Sequence, residues 1–418
     1  MNDSKQKDNT DADPNSISIE AALRTILNHA QSVDQFESIA LQRCCGRVLG
    51  TDLYAPINVP PFRASAMDGY AYKHSDGAHE LTISDHSLAG HPSSNKAKPC
   101  ECHRITTGAR VPDFADTVVQ QENVEVSGNT VKILQQPNKG HHVRAVGSDC
   151  EKGTQLMSKG QQLGAAQIAT LCSQGLVEID VYRRLKIAVF STGDELINAG
   201  SALPAGCIYD ANRALLTTML SSPSVEIDDL GIVEDSVDAI QDVFAKCKHA
   251  DLVLSSGGVS VGDADFIRPV LERVGTLNVW KIAVKPGRPL TFGMLNKKQP
   301  YFGLPGNPVS AAVTCLLFVQ PAIRKRLGQI SVELPRIAAK LNSALKKLPG
   351  RVEYQRGLLE QDAFGEWCVS TTGLQDSHIV SSLHKANCFV ELGLDSAGAD
   401  AGTTVTVIPF AYFSESIL

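Results

Sequence analysis

The sequence predicts a multidomain α/β plus β protein: a central open, mostly parallel α/β sheet domain, with an inserted β-rich domain, a helical segment and a C-terminal β domain. Three observations carry this reading. Apolar runs at 185–190, 252–254 and 301–304 each end in a loop containing glycine or proline, with helical patterns between them; buried parallel strands joined by helices leave this trace. Between Pro56 and Asp149 the pattern changes to short alternating segments separated by turn residues, and after Ile330 it turns β-rich again as far as Pro409. At 418 residues the chain is also too long for one ordinary core.

Each element follows in order. Residues 1–15 are polar and acidic with no apolar core, which reads as a disordered tail and not as a secretory signal. Ile19, Ala22, Leu23, Ile26 and Leu27 fall at helical spacing behind a capping Ser18, and 38–48 reads as a second short helical stretch. Pro56, Pro60 and Pro61 then exclude helix, and the helical pattern returns at 165–172. The helical segment is therefore discontinuous, 16–55 and 151–183, and the β-rich domain of 56–150 interrupts it. Residues 184–330 form the α/β domain, closing with a long apolar helix over 309–327 in which Asn307 can cap and Pro308 takes the first position. Residues 331–418 form the C-terminal β domain.

Composition excludes several classes. A net charge of −6 and a pI near 6.0 argue against a nucleic-acid-binding face. No apolar run approaches the ~20 residues needed to cross a bilayer. Eleven scattered cysteines without a secretory signal read as reduced thiols, so the expected compartment is the cytoplasm. Cys100, Cys102 and His103 resemble half a zinc site but lack a second ligand pair at a recognisable spacing.

The chemistry-bearing motifs cluster in the α/β domain. Ser255, Ser256, Gly257, Gly258, Ser260, Asp263 and Asp265 lie in one stretch directly after a buried strand. Glycines let backbone N–H groups approach an anion, hydroxyls add donors, and paired carboxylates suit a hard cation. A tight βα turn with solvated acids is the plain structural alternative. Lys281, Ala283 and Lys285 share one face of a predicted strand, ahead of the turn at Pro286 and Gly287 and a further cation, Arg288; a solvated strand face is the competing reading. Asp194 and Glu195 end another strand, where one of them can cap a helix; Asn212 can cap the next, and Arg213 can reach a phosphate. Asp235 follows a strand predicted over 225–230. In the inserted domain, Asp68 precedes Gly69 and Thr107 precedes Gly108, at positions that a simple hairpin corner also explains.

Taken together, these blocks resemble the molybdopterin molybdenumtransferase (MoeA) family, which includes the C-terminal domain of gephyrin. The marks are 65–70, 107–109, 191–196, 208–213, 255–265, 285–289, 304–310, 349–351 and 354–357, with Ser377-His378 and Ala386-Asn387-Cys388 beyond them. The resemblance implies an elongated homodimer and a reaction that joins molybdate to adenylylated molybdopterin with magnesium, releasing AMP and yielding molybdenum cofactor. It implies catalytic roles for Asp68, Thr107, Glu195, Asp235 and Asp265, with Asp68 and Thr107 reaching the partner subunit's site. Glu195, Asp235 and Asp265 are the implied metal ligands. Ser255, Gly257, Gly258, Ser260, Lys281, Lys285, Pro305, Gly306, Pro308, Ser310, Arg356 and Ser377 are the implied substrate-binding positions. Implied partners are the molybdopterin-adenylylating enzyme and apo-molybdoenzymes or their chaperones. The chain departs from the family pattern at Arg63 and Ser148. Adenylylation of molybdopterin by ATP is the sister activity on the same α/β domain, and a scaffold role like that of gephyrin is a third reading.

Overall fold

Runs of β-branched and aromatic residues build the central sheet. The computed structural model describes residues 10–258 and 266–410. Six strands lie in the spatial order Val225–Val233, Leu185–Thr192, Leu252–Ser256, Gln299–Leu304, Pro289–Leu295 and Gly275–Lys281. The first four pair in parallel; Pro289–Leu295 runs antiparallel to Gln299–Leu304, and Gly275–Lys281 antiparallel to Pro289–Leu295. Val189 and Leu254 face one apolar core, with Phe302, Leu216 and Phe318, while Ala188, Phe190 and Val253 face the other, with Ile240, Phe244 and Val270. Helices cover both faces, so the strands read as continuous apolar runs. Burying each of these side chains other than Ala188 contributes about 1.5–3 kcal/mol.

Register fixes where the loops emerge. Thr192 pairs with Val233, Ser191 with Ser256, and Ser256 with Leu304. All four parallel strands therefore end at one edge, where open α/β sheets bind ligands.

Contacts divide the chain into two compact units: 1–50, 159–165 and 179–418 form one, and 51–158 with 166–178 form the other. The first unit also holds a closed barrel. Its strands run Val352–Gln361, Trp367–Thr371, Ile337–Leu341, Thr404–Pro409 and Cys388–Leu392, and the last pairs back to the first. The second unit is built on a six-stranded sheet in the order Thr117–Gln120, Gly69–Tyr72, Glu101–Ile105, Leu81–Ser87, Thr130–Ile133 and Val124–Ser127. The sheets thus reproduce a multidomain architecture with a mostly parallel α/β sheet and β-rich parts on either side in sequence. No helix among the described residues is long and apolar enough to cross a membrane.

Local differences from the sequence reading are instructive. The helix Ile19–His29 forms behind its Ser18 cap, whose hydroxyl accepts from Ala21 N at 3.1 Å. The stretch expected to be a second helix is instead the strand Phe36–Ala40 and a short turn, because that strand finds a partner in Glu178–Tyr182. The two helices assigned to one segment fall in different units: Ile19–His29 packs on the α/β core, whereas Ala165–Ser173 belongs almost wholly to the second unit. Residues 10–17, within and just beyond the tail read as disordered, are held on the first unit: Asp11 N donates to Pro349 O at 2.7 Å, and Ile17 pairs with Ile282.

Candidate active site

Four loop ends meet at the carboxyl edge of the parallel strands. Gly257 N donates to Leu304 O at 3.1 Å, and Asn212 Nδ2 donates to Ser256 Oγ at 2.8 Å and to Gly306 O at 2.7 Å. Gly257 and Gly258 both hold positive φ, and a Cβ on Gly257 would stand 2.5 Å from Thr192 O. No other residue type fits there without displacing the neighbouring strand. Ser191 Oγ, Thr192 Oγ1 and Asn212 Oδ1 are buried without a hydrogen-bond partner among the described residues. Unmet polar groups at a strand edge suit a ligand that supplies their partners.

Acids gather beside this crevice. Asp235 N donates to Asp194 Oδ1 at 3.4 Å, and burial with the charges of Asp194 and Glu195 pushes the Asp235 carboxyl above its ordinary range. Like charges held together raise a carboxyl in this way, and a cation would relieve them. Among the described residues no group of three or more His, Cys, Asp or Glu side chains is arranged to hold a metal ion. Asp265, the third expected ligand, lies outside the described residues.

The 305–308 loop connects the crevice to a second cavity of about 400 Å³, lined in part by Lys285, Arg288, Ser310, Arg351, Glu353, Arg356, Asp376 and Ser377. Asn307 stands at the N-cap of Pro308–Thr314, but its amide donates to Ser377 Oγ at 3.0 Å, and Val309 N donates to Ser377 O at 3.1 Å. Gly287 lets the 285–289 turn press on the same helix: a Cβ there would come within 2.7 Å of Thr314 Cγ2.

Arg356 organises this cavity. It is 1% exposed, and its guanidinium donates to Ser382 Oγ at 3.0 Å and to the carbonyls of Gln375, Leu374 and Asp376 at 3.0, 3.2 and 3.1 Å. Of the five N–H donors of an arginine, these use four. Its hydrogen-bond partners are neutral oxygens, and burial lowers the guanidinium to about 10, while the nearby carboxylates of Asp376 and Glu353 act the other way. Lys285 Nζ stands 3.3 Å from Glu353 Oε2.

The second unit holds one further constellation. Asp68 Oδ1 accepts from Thr107 N at 2.7 Å, and the N–H and hydroxyl of Thr107 hold the Asp68 carboxyl below the usual carboxylate range. The two expected residues are adjacent and exposed, on the loops after Ala64–Ser65 and Glu101–Ile105.

The expected residues are thus sorted by position. Lys285, Ser310, Arg356 and Ser377 line one cavity. Gly257, Gly258, Pro305, Gly306 and Pro308 shape the crevice and its loop, and Glu195 and Asp235 stand together. Ser255 faces the interior instead, with Oγ 2.5 Å from Tyr301 OH. Lys281 and Lys285 do not share one strand face: Lys281 ends the α/β edge strand, while Val284–Lys285 joins the barrel beside Val352 and Glu353. Lys281 lies apart from the cavity, 3.9 Å from Asp13. Ser260, Asp263 and Asp265 lie outside the described residues.

Other assignments change with the contacts. Asp210, not Asn212, caps Ala211–Leu220, which frees the Asn212 amide for the crevice. Arg213 is committed to Asp210, Asp229 and Asn198, at 2.9, 2.7 and 2.6 Å. No helix follows Glu195, because Leu196–Ile197 is a short strand paired with Ile208–Tyr209. The departure at Arg63 is structural, since its guanidinium donates to Ala115 O and Pro112 O at 3.0 and 3.1 Å. Sequence reasoning read Asn307 only as a helix cap and missed its bond to Ser377, and it missed Gln375 and Asp376, which no local signal marks.

Comparison with known proteins agrees with this layout. Residues 17–175 match the MoeA N-terminal region (domain I and II), 188–325 a probable molybdopterin binding domain, and 338–410 the MoeA C-terminal region (domain IV). A molybdopterin molybdenumtransferase of Haemophilus influenzae is 40% identical over 399 residues, covering 94% of this chain and 98% of the relative. Gephyrin of Dictyostelium discoideum is 32% identical, over 94% of this chain but 62% of gephyrin's own length. The crystal structure of the molybdopterin biosynthesis moeA protein from Pyrococcus horikoshii OT3 matches with a TM-score of 0.82 at 26% identity, covering 94% of this chain and all of that one. With a shared fold, domain order and near full-length identity, the chain belongs to the molybdopterin molybdenumtransferase (MoeA) family.

Proposed function

We propose that the chain inserts molybdenum into adenylylated molybdopterin, taking molybdate as second substrate, releasing AMP and yielding molybdenum cofactor. Family membership supports the coarser role in molybdenum cofactor biosynthesis. The observation that carries the finer reading is the cavity where Lys285, Ser310, Arg356 and Ser377 converge from segments far apart in sequence. A tetrahedral oxyanion needs cations and hydroxyl donors in such a recess. The adjoining crevice, with its glycine pair and unmet polar groups, suits the phosphoanhydride and pterin of the larger substrate.

On this reading no side chain need act as a nucleophile, because the dithiolene sulfurs of the substrate bind the metal. Catalysis is positioning plus charge neutralisation. Arg356 orients the 374–377 loop and keeps its charge for the oxyanion, and Lys285, Ser310 and Ser377 complete the recess. The donor chemistry of Glu195 and Asp235 fits magnesium, which when bound would neutralise phosphate charge. The functional unit is a homodimer in which Asp68 and Thr107 serve the partner's site, working with the adenylylating enzyme upstream and apo-molybdoenzymes or their chaperones downstream in the cytoplasm. The test is AMP release from adenylylated molybdopterin and magnesium, with and without molybdate. Molybdate-dependent release supports the assignment; tight pterin binding with no release contradicts it.

A further inference from the structure

The oxyanion cavity is served by two arginines that the amino-terminal segment already engages. Asp11 pairs with Arg351, and Asp13 with Arg288. The backbone anchors them: Asp11 N donates to Pro349 O at 2.7 Å, and Ile17 N donates to Lys281 O while Ala283 N donates to Ile17 O, both at 2.9 Å. A Cβ on Gly350 would stand 2.3 Å from Ala12 N, so the segment lies directly against this turn. Arg288 and Arg351 are not saturated by these contacts, because the Nε of each is buried without a hydrogen-bond partner among the described residues.

Charge decides what this arrangement does. The cavity lining carries four cations, Lys285, Arg288, Arg351 and Arg356, against the carboxylates of Glu353 and Asp376. Two positive charges are in surplus, and Asp11 and Asp13 supply two negative charges to the same arginines. We propose that Asp11 and Asp13 compete with the oxyanion for Arg288 and Arg351, setting how much molybdate is needed to fill the cavity. This rests on the oxyanion reading of the cavity. A dianion entering the recess takes over the charge balance that the segment provides, and the segment loosens as it binds.

The test is equilibrium dialysis of molybdate against the intact protein, the Asp11→Asn/Asp13→Asn variant and the Asp11→Glu/Asp13→Glu variant. The asparagine variant is expected to bind molybdate about fivefold more tightly at low salt, as loss of two partly exposed ion pairs implies. The gap should shrink as salt rises, and the glutamate variant should return towards wild type. In the wild type, molybdate should also increase amide exchange at Asp11 and Ile17, a readout that needs no variant to fold. Equal affinity in wild-type and asparagine proteins, or unchanged exchange when molybdate binds, would overturn the inference and leave the cavity reading standing. Molybdate binding to none of the three would overturn both.

Discussion

At the scale of single residues, the site separates groups that hold charge from groups that hold geometry. Arg356 does both, since three of its hydrogen bonds fix the 374–376 loop and a fourth reaches Ser382, while its charge remains for a ligand. Arg356→Gln should therefore lower the apparent affinity for molybdate about 30- to 100-fold, the scale of a lost charged hydrogen-bond set, as read from the molybdate dependence of AMP release. Lys285→Ala should raise the molybdate requirement about tenfold, whereas Lys281→Ala, outside the cavity lining, should change it less than about twofold. Equal effects of the two lysines would contradict the placement. Asp68 offers a pH check. Its carboxyl lies below the ordinary 3.8 because Thr107 donates to its ionised form. That contribution is present above the unfolded value and is lost as pH falls through the folded one. Carboxyl NMR titration should place Asp68 below ordinary aspartates, and Thr107→Ala should move it part of the way back.

At the scale of elements, parallel strands position the loops and local ion pairs fix the strand starts. Asp251 receives Arg183 through both guanidinium nitrogens, at 2.6 and 2.7 Å, and also accepts from Lys186 N at 2.8 Å, so the starts of two neighbouring strands are tied together. These bonds outweigh burial and hold its carboxyl below the usual range. Asp251→Asn should cost about 3 kcal/mol in urea unfolding, the scale of a broken partly buried pair. The loss should narrow as pH falls through the folded value, where the wild type loses the same interaction. The strands themselves were legible in the sequence, because burial on both faces leaves an unbroken apolar run such as 252–254. Choice of partner was not. Residues 280–285 read as one strand, yet the chain changes sheets at Ile282, which pairs with Ile17. The start of the 38–48 stretch, read as helical, belongs instead to the strand Phe36–Ala40 and is decided by Glu178–Tyr182, far along the chain. The candidate site was legible as residue types: glycines, acids, lysines and the 304–310 loop all stood out. What Ser255 faces, and what Asp11 and Asp13 bind, depends on contacts that no local pattern encodes.

At the scale of the whole molecule, the proposal needs two copies of the chain. If Asp68 serves the partner's site, an inactive Asp68→Asn protein mixed with Arg356→Gln protein should regain activity at a molybdate concentration too low for Arg356→Gln alone to turn over. Random exchange makes half of the dimers hybrid, each with one intact site, so about one quarter of wild-type AMP release is expected. Failure to regain activity, with exchange verified by mass, would confine Asp68 to its own chain. The central claim is that molybdate occupies the cavity shared by Lys285, Ser310, Arg356 and Ser377. Anomalous diffraction at the molybdenum edge from molybdate-soaked crystals tests it most directly. The account predicts a peak in the cavity, placed so that the oxygens around the metal reach Ser310, Arg356 and Ser377. A peak elsewhere, with this cavity empty while the crystals retain bound molybdate, would contradict it.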